Sequence, residues 1–590
     1  MDENKITYLG ETDARNQKVP FGIRQKDRSR HVYVIGKTGM GKSTLLENMA
    51  VQDIQSGEGM AFIDPHGKTA ELLLDFIPED RIQDVLYFAP FDLDHPISFN
   101  VMEDVGPDKR HLVANGLMSA FKKIWVDAWS ARMEYILNNI LLALLEYPDS
   151  TLIGVNRMLA DKEYRKRVTS NITDPSVRSF WIDEFAKYGE RYMQEAGAAI
   201  QNKIGQFISN PLVRNIIGQP KSTFDIRKMM DARKIIIINL SKGRVGEANA
   251  NLLGSMIITK IYLSAMSRAD LHDNESRRLP AFYLYVDEFQ SFANESFADI
   301  LSEARKYKLS LTIAHQYIEQ MSEEVRAAVF GNVGTMIAFR VGAYDAEVLE
   351  KEYAPVFTAE DMVNLGFIQI YLKLMIDGVT SAPFSAITLP PIRPAIVSFK
   401  DKIVAESRRR YAKPRAKVED DIKRWHEAAA GQEGPRGDDK FAFDRVPKPR
   451  EKEGERIALR MPDRMPVERR PEKPNEPRPL KPNTAVERES ELRKAMSLGH
   501  LNKNEPGKEK KPSGENKAGL KEALATLLKK ESSFGAVVQE EKQANSVKAP
   551  NSNPRPERAA ERAAVIPPKD REEVKKEVPK EVLEKVLKVE

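Results

Sequence analysis

The order of apolar and polar positions divides the chain into two regions that meet near residue 400. In residues 1–400, short apolar runs rich in β-branched residues alternate with stretches of helical periodicity. Several short runs are apolar throughout, which is typical of strands covered on both faces of a sheet. This alternation predicts an α/β fold with a mainly parallel sheet. The predicted strands are His31–Ile35, Met60–Ile63, Val85–Phe88, Lys234–Leu240, Phe282–Val286, Ser310–Ala314, Thr335–Val341 and Phe367–Met375.

One long stretch interrupts this alternation. From about residue 104 to residue 228 the pattern is helical throughout. We interpret residues 104–228 as an all-α domain inserted between two parts of one α/β domain, residues 1–103 and residues 229–400. The predicted helices of this insertion include Arg132–Glu146, Pro175–Tyr188 and Arg191–Ser209.

Residues 401–590 differ in composition from the rest of the chain. They hold 19 of the 35 prolines but only five of the 45 aromatic residues. A segment so charged and so poor in aromatic residues buries too little surface to offset the entropy lost on ordering. We therefore predict a long, mostly disordered, Pro-rich tail. Two short amphipathic helices, Leu520–Lys530 and Lys580–Val589, serve in it either as docking helices or as transient helices without a partner.

Composition excludes several classes of protein. The chain has no cysteine, which rules out disulfides and thiolate metal sites and fits a reducing, cytoplasmic environment. It has no run of about 18 apolar residues, so we expect no membrane span, and its N-terminus does not resemble a signal peptide. Residues 401–590 carry 46 Lys and Arg against 36 Asp and Glu, which leaves residues 1–400 with a net charge of −5. Charge alone therefore does not indicate nucleic-acid binding.

A phosphate-binding loop is the clearest motif. Residues 36–43 read GKTGMGKS, which matches G-x-x-x-x-G-K-[ST] between a predicted strand and a predicted helix. The glycines permit a turn whose N–H groups point inward, and the helix dipole adds to their attraction for phosphate. Lys42 should contact the β- and γ-phosphates of ATP, and the Ser43 hydroxyl should ligate Mg²⁺. The predicted ATP contacts are Gly36, Lys37, Thr38, Gly39, Met40, Gly41, Lys42, Ser43 and Thr44.

A second apolar strand ends in two carboxylates. Residues 282–288 read FYLYVDE, and a P-loop requires a distant acidic residue for its metal. Asp287 is the predicted Mg²⁺ residue, and Glu288 is the predicted residue that polarises the attacking water. An acidic pair at this position separates hydrolytic P-loop proteins from small kinases. The motifs together predict an ATP hydrolase.

The next strand supplies two further candidates. It ends in His315 and Gln316, where a polar side chain either lies beside Asp287 and senses the γ-phosphate or is an ordinary polar strand end. Arg305 precedes the same strand, where its cation serves either as a finger to a neighbouring subunit's γ-phosphate or as a solvated helix end. Asp64 and His66 follow the strand Met60–Ile63, which we expect beside the P-loop strand. They are either nucleotide contacts or structural residues.

These motifs together resemble those of one family. The chain looks like the conjugative coupling proteins (TraG/TraD-like), which belong to the HerA/FtsK superfamily of hexameric DNA-pumping ATPases. The resemblance covers roughly residues 5–395. It rests on GKTGMGKST at 36–44, FIDPHGK at 62–68, IIIINLSKG at 235–243, LYVDEFQ at 284–290, ARKYKLSLTIAHQ at 304–316 and GNVGTMIAFRVG at 331–342.

The resemblance implies both an architecture and residue roles. It implies a RecA-like P-loop motor of the ASCE class, an all-α insertion facing the DNA entrance, and a homo-hexamer with ATP sites between subunits. Lys42 with Ser43 would be the Walker A pair, and Asp287 with Glu288 the Walker B pair. Gln316 would be the sensor and Arg305 the catalytic finger in trans. Arg340 is either a second inter-subunit cation, as the weaker candidate, or a strand residue paired with a surface acid.

Three functions remain open at this point. The first is a ring motor that moves DNA to a conjugative, type IV secretion channel. The second is a HerA-like helicase-translocase for DNA processing, and the third is a nucleotide-dependent scaffold for protein substrates. About 30 residues precede the P-loop, which is too few for the barrel of HerA-like enzymes and favours the first. The transmembrane hairpin of anchored family members is missing, so we expect a cytoplasmic protein. Either a separate membrane anchor or channel protein, bound through the tail, holds it at the inner face of the membrane, or the motor works in the cytosol.

Overall fold

The computed structural model of this chain describes residues 4–13, 17–103, 106–126, 129–188 and 190–428. The predicted disorder of the tail beyond residue 428 and its two predicted helices, Leu520–Lys530 and Lys580–Val589, lie outside these residues. The strands are β1 (Ile6–Thr12), β2 (Pro20–Arg24), β3 (Val32–Ile35), β4 (Gly59–Asp64), β5 (Val85–Phe88), β6 (Ile235–Asn239), β7 (Phe282–Val286), β8 (Leu309–His315), β9 (Thr335–Ala338), β10 (Gln369–Lys373), β11 (Met375–Ile376), β12 (Val379–Thr380) and β13 (Phe384–Thr388).

Eleven of these strands form one mixed sheet, in the order β2-β1-β13-β10-β9-β3-β8-β7-β4-β6-β5. The seven strands from β9 to β5 are parallel, as the uniformly apolar runs predicted. The other four, β10, β13, β1 and β2, extend the sheet in antiparallel pairing, an extension that the sequence analysis missed except for β10. Strands β11 and β12 form a separate hairpin.

The central strands owe their position to residues that are apolar on both faces. Every residue of β3, β4, β6, β7, β8 and β9 is buried. Because side chains alternate across a strand, Val32 and Val34 pack into the core on one face of the sheet, and Tyr33 and Ile35 pack into the core on the other. Polar residues that follow these strands are therefore collected at one edge, the carboxyl edge of the parallel sheet.

The helices cover both faces of the sheet and form the segment between β5 and β6. Helix α4 of that segment packs closely on α13, where a Cβ atom on Gly116 would lie 2.5 Å from Thr259. The helices are α1 (Gln25–Arg28), α2 (Lys42–Gln55), α3 (Lys68–Leu73), α4 (Arg110–Ile124), α5 (Ala131–Glu146), α6 (Gly154–Ala160), α7 (Lys162–Ser170), α8 (Pro175–Ser179), α9 (Glu190–Ser209), α10 (Pro211–Ile217), α11 (Ile226–Asp231), α12 (Lys242–Val245), α13 (Glu247–Met266), α14 (Asp273–Arg278), α15 (Ser296–Glu303), α16 (Glu323–Asn332), α17 (Ala343–Tyr353), α18 (Ala359–Val363), α19 (Lys400–Tyr411) and α20 (Arg415–Ala428).

The described part of the segment between β5 and β6 is helical, with α4 to α11 and no strand. Its division from the sheet as a separate inserted domain stays a prediction. The aromatic residues that alternate there with basic ones are mostly core residues, since Phe121, Phe180 and Trp181 are all buried.

The folded region extends beyond the predicted boundary at residue 400. Helix α19 lies along the edge strand β5 and buries Ile403 and Ser407, and the Ser407 hydroxyl accepts a hydrogen bond of 2.9 Å from the Tyr87 N–H. Helix α20 contacts α10 and buries Val418 and Ile422. The boundary at residue 400 was wrong because four buried side chains are enough to dock two helices that are otherwise charged.

Candidate nucleotide-binding site

The loop Gly36–Gly41 connects the end of β3 to the start of α2. The first turn of α2 has no side-chain cap, so its N–H groups lack the usual partner at a helix start. Gly39 and Gly41 have φ angles of 79° and 115°, which only glycine adopts without strain. The loop therefore presents an uncapped helix end with its dipole, an arrangement that binds phosphate.

Two loop glycines are also required by close packing. A Cβ atom on Gly36 would lie 2.5 Å from the Phe339 Cβ, and one on Gly41 would lie 3.2 Å from the Phe339 ring. Phe339 follows β9 and is fully buried beneath the loop. The loop thus rests on an aromatic side chain that any residue larger than glycine at position 36 would displace.

Lys42 folds back over the loop. Its Nζ donates hydrogen bonds of 2.7 Å to the Gly36 carbonyl and 3.1 Å to the Lys37 carbonyl. Burial lowers the pKa of Lys42, and the carboxylates of Glu288 and Asp287 partly offset this effect. The ammonium group is held inside the loop, where phosphate oxygens would replace these carbonyl contacts.

The structure brings together Ser43 and Asp287, the two predicted Mg²⁺ residues. The Ser43 hydroxyl donates a hydrogen bond of 3.0 Å to Asp287 Oδ2, although 244 positions separate the residues in the sequence. Burial, and secondarily the neighbouring charge of Glu288, raises the pKa of Asp287 to about 6. Because burial disfavours the ionised form of Asp287, a bound cation that neutralises the carboxylate would be favourable at this position.

Two glutamine side chains hold Glu288. The Gln316 and Gln290 amides each donate a short hydrogen bond to it, one to each carboxylate oxygen. The Gln316 carbonyl oxygen also accepts a bond of 3.1 Å from the Thr38 hydroxyl of the loop. Glu288 itself adopts a φ of 48°, a left-handed conformation that is uncommon outside glycine and is often found at functional sites.

Strand order explains why Gln316 reaches both motifs. Strand β8, which ends one residue before Gln316, lies between the P-loop strand β3 and the strand β7 that carries Asp287. Its side chain therefore links the loop to Glu288. Gln290 was not among the predicted site residues, and its place in LYVDEFQ was the only signal.

His315 lies under the site rather than in it. It is fully buried, its Nδ1 lies 3.1 Å from the Tyr33 hydroxyl, and its Nε2 has no hydrogen-bond partner among the described residues. Burial lowers its pKa to about 3, and the charges of Lys42 and Lys123 act in the same direction. His315 is therefore a neutral side chain at physiological pH.

The two candidate arginine fingers lie at opposite edges of the sheet. Arg340 follows β9 at the carboxyl edge, where its backbone carbonyl accepts a bond of 2.8 Å from the Lys37 N–H. Arg305 precedes β8 at the amino edge and is exposed near Arg30 and Asp27. A seven-residue strand separates Arg305 from its own P-loop by roughly 20 Å, so it lies outside the site of its own chain.

Asp64 and His66 lie further from the P-loop than predicted. Strands β8 and β7 stand between β3 and β4, so β4 is not the neighbour of the P-loop strand. The Asp64 carboxylate accepts hydrogen bonds from the N–H groups of His66 and Ala70, at 2.7 and 2.9 Å. The Asp64 side chain thereby organises the start of α3, which is a structural role.

Among the described residues, acidic and histidine side chains alone do not form a metal site. No group of three or more acidic or histidine side chains there could hold a metal without other ligands. A Mg²⁺ ion beside Ser43 and Asp287 would therefore need phosphate oxygens and water as well, which is the coordination that Mg²⁺ usually has at nucleotide sites.

Within the described part of the chain, no helix is long and apolar enough to cross a membrane.

Comparison with known proteins places the chain in a family. The family model of type IV secretory system conjugative DNA transfer proteins matches residues 3–334, more than half of the chain. The chain belongs to this family. The predicted family is thereby confirmed, and the sheet and loop described above have the predicted P-loop NTPase fold. No curated protein matches the sequence.

Several solved structures are similar to this member of the family. The plasmid coupling protein TrwB in complex with ADP and Mg²⁺ is 15% identical, with a TM-score of 0.48, and the match covers 66% of this chain and 96% of TrwB. TrwB with a non-hydrolysable ATP analogue is 16% identical, with a TM-score of 0.44 and coverage of 67% and 96%. VirB4 of Thermoanaerobacter pseudethanolicus is 13% identical, with a TM-score of 0.44 and coverage of 68% and 99%.

Proposed function

We propose that the chain binds ATP with Mg²⁺ at the Gly36–Thr44 loop and hydrolyses it. The observation that carries this proposal is the hydrogen-bonded chain from Thr38 through Gln316 to Glu288, together with the contact between Ser43 and Asp287. These contacts connect the phosphate-binding loop to the Glu288 carboxylate through a single glutamine side chain. A loop that only bound nucleotide would not need this second carboxylate.

Each side chain has a distinct role in the proposed reaction. Lys42 neutralises phosphate charge, and Ser43 and Asp287 hold Mg²⁺, which supplies further positive charge beside the β- and γ-phosphates. Glu288 accepts a hydrogen bond from the attacking water and polarises it toward the γ-phosphate. Gln316 and Gln290 orient the Glu288 carboxylate, and Gln316 also couples the position of Glu288 to the conformation of the loop.

We further propose that turnover drives DNA through a homo-hexamer, as a coupling protein for conjugative transfer. Membership of the conjugative DNA transfer family supports this proposal over a HerA-like processing enzyme and over a protein scaffold. Because Arg305 lies at the edge of the sheet opposite its own site, it is suited to act on the site of a neighbouring subunit. A cytoplasmic position at the inner face of the membrane, held by a channel or anchor protein bound to the tail, completes the proposal.

The decisive experiment compares ATP hydrolysis with and without DNA. The full chain and a protein ending at residue 428 are assayed with duplex and single-stranded DNA at low and moderate salt, because contacts to phosphates weaken steeply with salt. Glu288→Gln is the matched control, since it keeps the hydrogen-bonding shape of the site but removes the charge that polarises water. We expect DNA to stimulate hydrolysis by both wild-type proteins and ATP-dependent displacement of a bound roadblock, with neither in the control.

The outcomes separate the three functions. An assembled protein that hydrolyses ATP but responds to no form of DNA would refute the translocase and leave the scaffold. Displacement that requires a nuclease partner would favour the processing enzyme. A Glu288→Gln protein that turned over ATP at the wild-type rate would show that the catalytic carboxylate is a different residue.

A further inference from the structure

The sheet order defines on which side of the P-loop a nucleoside must lie. Glu288 lies on the β8 and β7 side of the P-loop strand β3, so the terminal phosphate of a bound nucleotide points to that side. The rest of the nucleotide must leave the loop in the other direction. That direction leads to β9 and to the start of β10, because β10 is antiparallel to β9 and therefore begins at the carboxyl edge.

An exposed aromatic side chain stands at this place. Phe367 lies two residues before β10 and is 67% exposed. Its neighbour Ile368 packs against the P-loop, where its Cγ2 would lie 3.6 Å from a Cβ atom on Gly41. When a flat ligand surface covers a large exposed apolar side chain, the burial stabilises the complex.

The backbone under Phe367 is strained and well supported. Ile368 has a φ of 57°, a left-handed conformation that is a marked outlier for a β-branched residue. The Thr388 N–H donates a hydrogen bond of 3.0 Å to the Ile368 carbonyl, and the Gly366 N–H donates one of 2.8 Å to the Gln369 side chain. Strain that the surrounding structure maintains is characteristic of ligand-binding segments, and here it keeps Phe367 outside the core and next to the loop.

We propose that Phe367 stacks on the base of the nucleotide whose phosphates the P-loop holds. This inference rests on the proposed ATP site and adds the residue that binds the nucleoside. An aromatic face recognises a purine without hydrogen bonds, so Phe367 contributes affinity for the nucleoside more than discrimination between ATP and GTP. The phosphates are bound by other groups, which makes the two contributions separable.

The test compares a nucleotide with its phosphate chain alone. Binding of Mg²⁺-ATP and of Mg²⁺-tripolyphosphate is measured by calorimetry on the full chain carrying Glu288→Gln, so that turnover does not interfere. The proteins compared are this parent and the same chain with Phe367→Ala, Phe367→Tyr or Val379→Ala. Val379 is the matched control, because it is an equally exposed apolar side chain (71%) on the hairpin at the opposite edge.

We expect Phe367→Ala to weaken ATP binding by about 5- to 140-fold, the range that one aromatic–base stack contributes, and to leave tripolyphosphate binding unchanged. Phe367→Tyr should bind both ligands as the parent does, and Val379→Ala should change neither. The same change in assays with GTP would support stacking, since both purines present a similar ring surface.

Each other result has a definite meaning. Unchanged ATP binding by Phe367→Ala, or equal weakening for both ligands, would overturn the inference, because the base would then not be the group contacted. A loss of ATP affinity that disappears when proteins of equal oligomeric state are compared by sedimentation would make Phe367 a subunit contact and would also overturn it. A parent protein that bound neither ligand would instead refute the proposed ATP site.

Discussion

Replacement of Asp287 by Asn should stabilise the metal-free protein while it abolishes turnover. Asp287 is 3% exposed, and its pKa is raised from 3.8 to about 6. Ionised at pH 8, a carboxyl with this shift costs the folded state about 3 kcal/mol relative to the unfolded chain. Asn has the same shape without the charge, so the variant avoids this cost.

The sign of the pH dependence follows from the same shift. Because the folded state binds the Asp287 proton more tightly than the unfolded state, the penalty is fully present above about pH 6 and declines as the pH falls below it. About half of the free-energy penalty remains at pH 5, and little of it remains below pH 3.8. The buried His31 and His315 act in the opposite direction, since burial lowers their pKa values to about 4 and about 3. They are common to both proteins, so they cancel in the difference.

The assay is thermal unfolding of wild type and Asp287→Asn in EDTA at pH 8 and pH 5. We expect the variant to melt higher by about 3–6 °C at pH 8 and by about half as much at pH 5. Mg²⁺-ATP should then raise the melting temperature of the wild type more than that of the variant. A variant that melts at or below the wild-type temperature at pH 8 would refute the view that the buried Asp287 carboxylate destabilises the metal-free protein.

Two further predictions concern assembly and the C-terminal helices. Mixing Arg305→Ala chains with Lys42→Ala chains should restore part of the ATPase activity that each variant lacks, because some interfaces then pair an intact P-loop with an intact Arg305. If mixed rings recovered no activity, a role of Arg305 in trans would be excluded. A protein ending at residue 428 should melt at the same temperature as the full chain. One ending at residue 399 should melt lower, because it loses the buried Ile403, Val418 and Ile422, each of which contributes about 1.5–3 kcal/mol to stability. Equal melting temperatures for the two truncated proteins would refute this prediction.

The chemistry of the site was more predictable than the arrangement of the sheet. The P-loop and the carboxylate pair could be read from local patterns, because the glycines and the strand-end carboxylates are needed at fixed positions in the sequence. Strand order depends on which strand edges pair in space, so the sequence pattern could not show that two strands separate β4 from β3. The contact of Gln290 with Glu288 likewise depends on the turn after β7 and has no periodic signal.

The elements that were missed share a physical cause. Strands β1 and β13 are partly exposed, so they lack the uniform apolar character by which the central strands were recognised. Helices α19 and α20 are rich in charge, and composition averaged over residues 401–590 conceals the four side chains that dock them. Average composition indicates whether a long segment can form a core of its own, but not whether its first turns can dock on an existing one.

The segment after Glu288 connects the site to the helices between β5 and β6. It continues to α15, where the Ser296 hydroxyl donates a hydrogen bond of 3.0 Å to that of Ser119 on α4, and Glu295 accepts one of 3.1 Å from Lys122 of the same helix. An exposed ion pair alone contributes little, but the two contacts lie on consecutive residues of one turn. The proposed motor activity requires that a change at the γ-phosphate be conveyed to parts of the molecule beyond the sheet. Here the path from the proposed catalytic carboxylate to the helical segment is seven residues long, so a displacement of Glu288 has a short covalent and hydrogen-bonded route to α4.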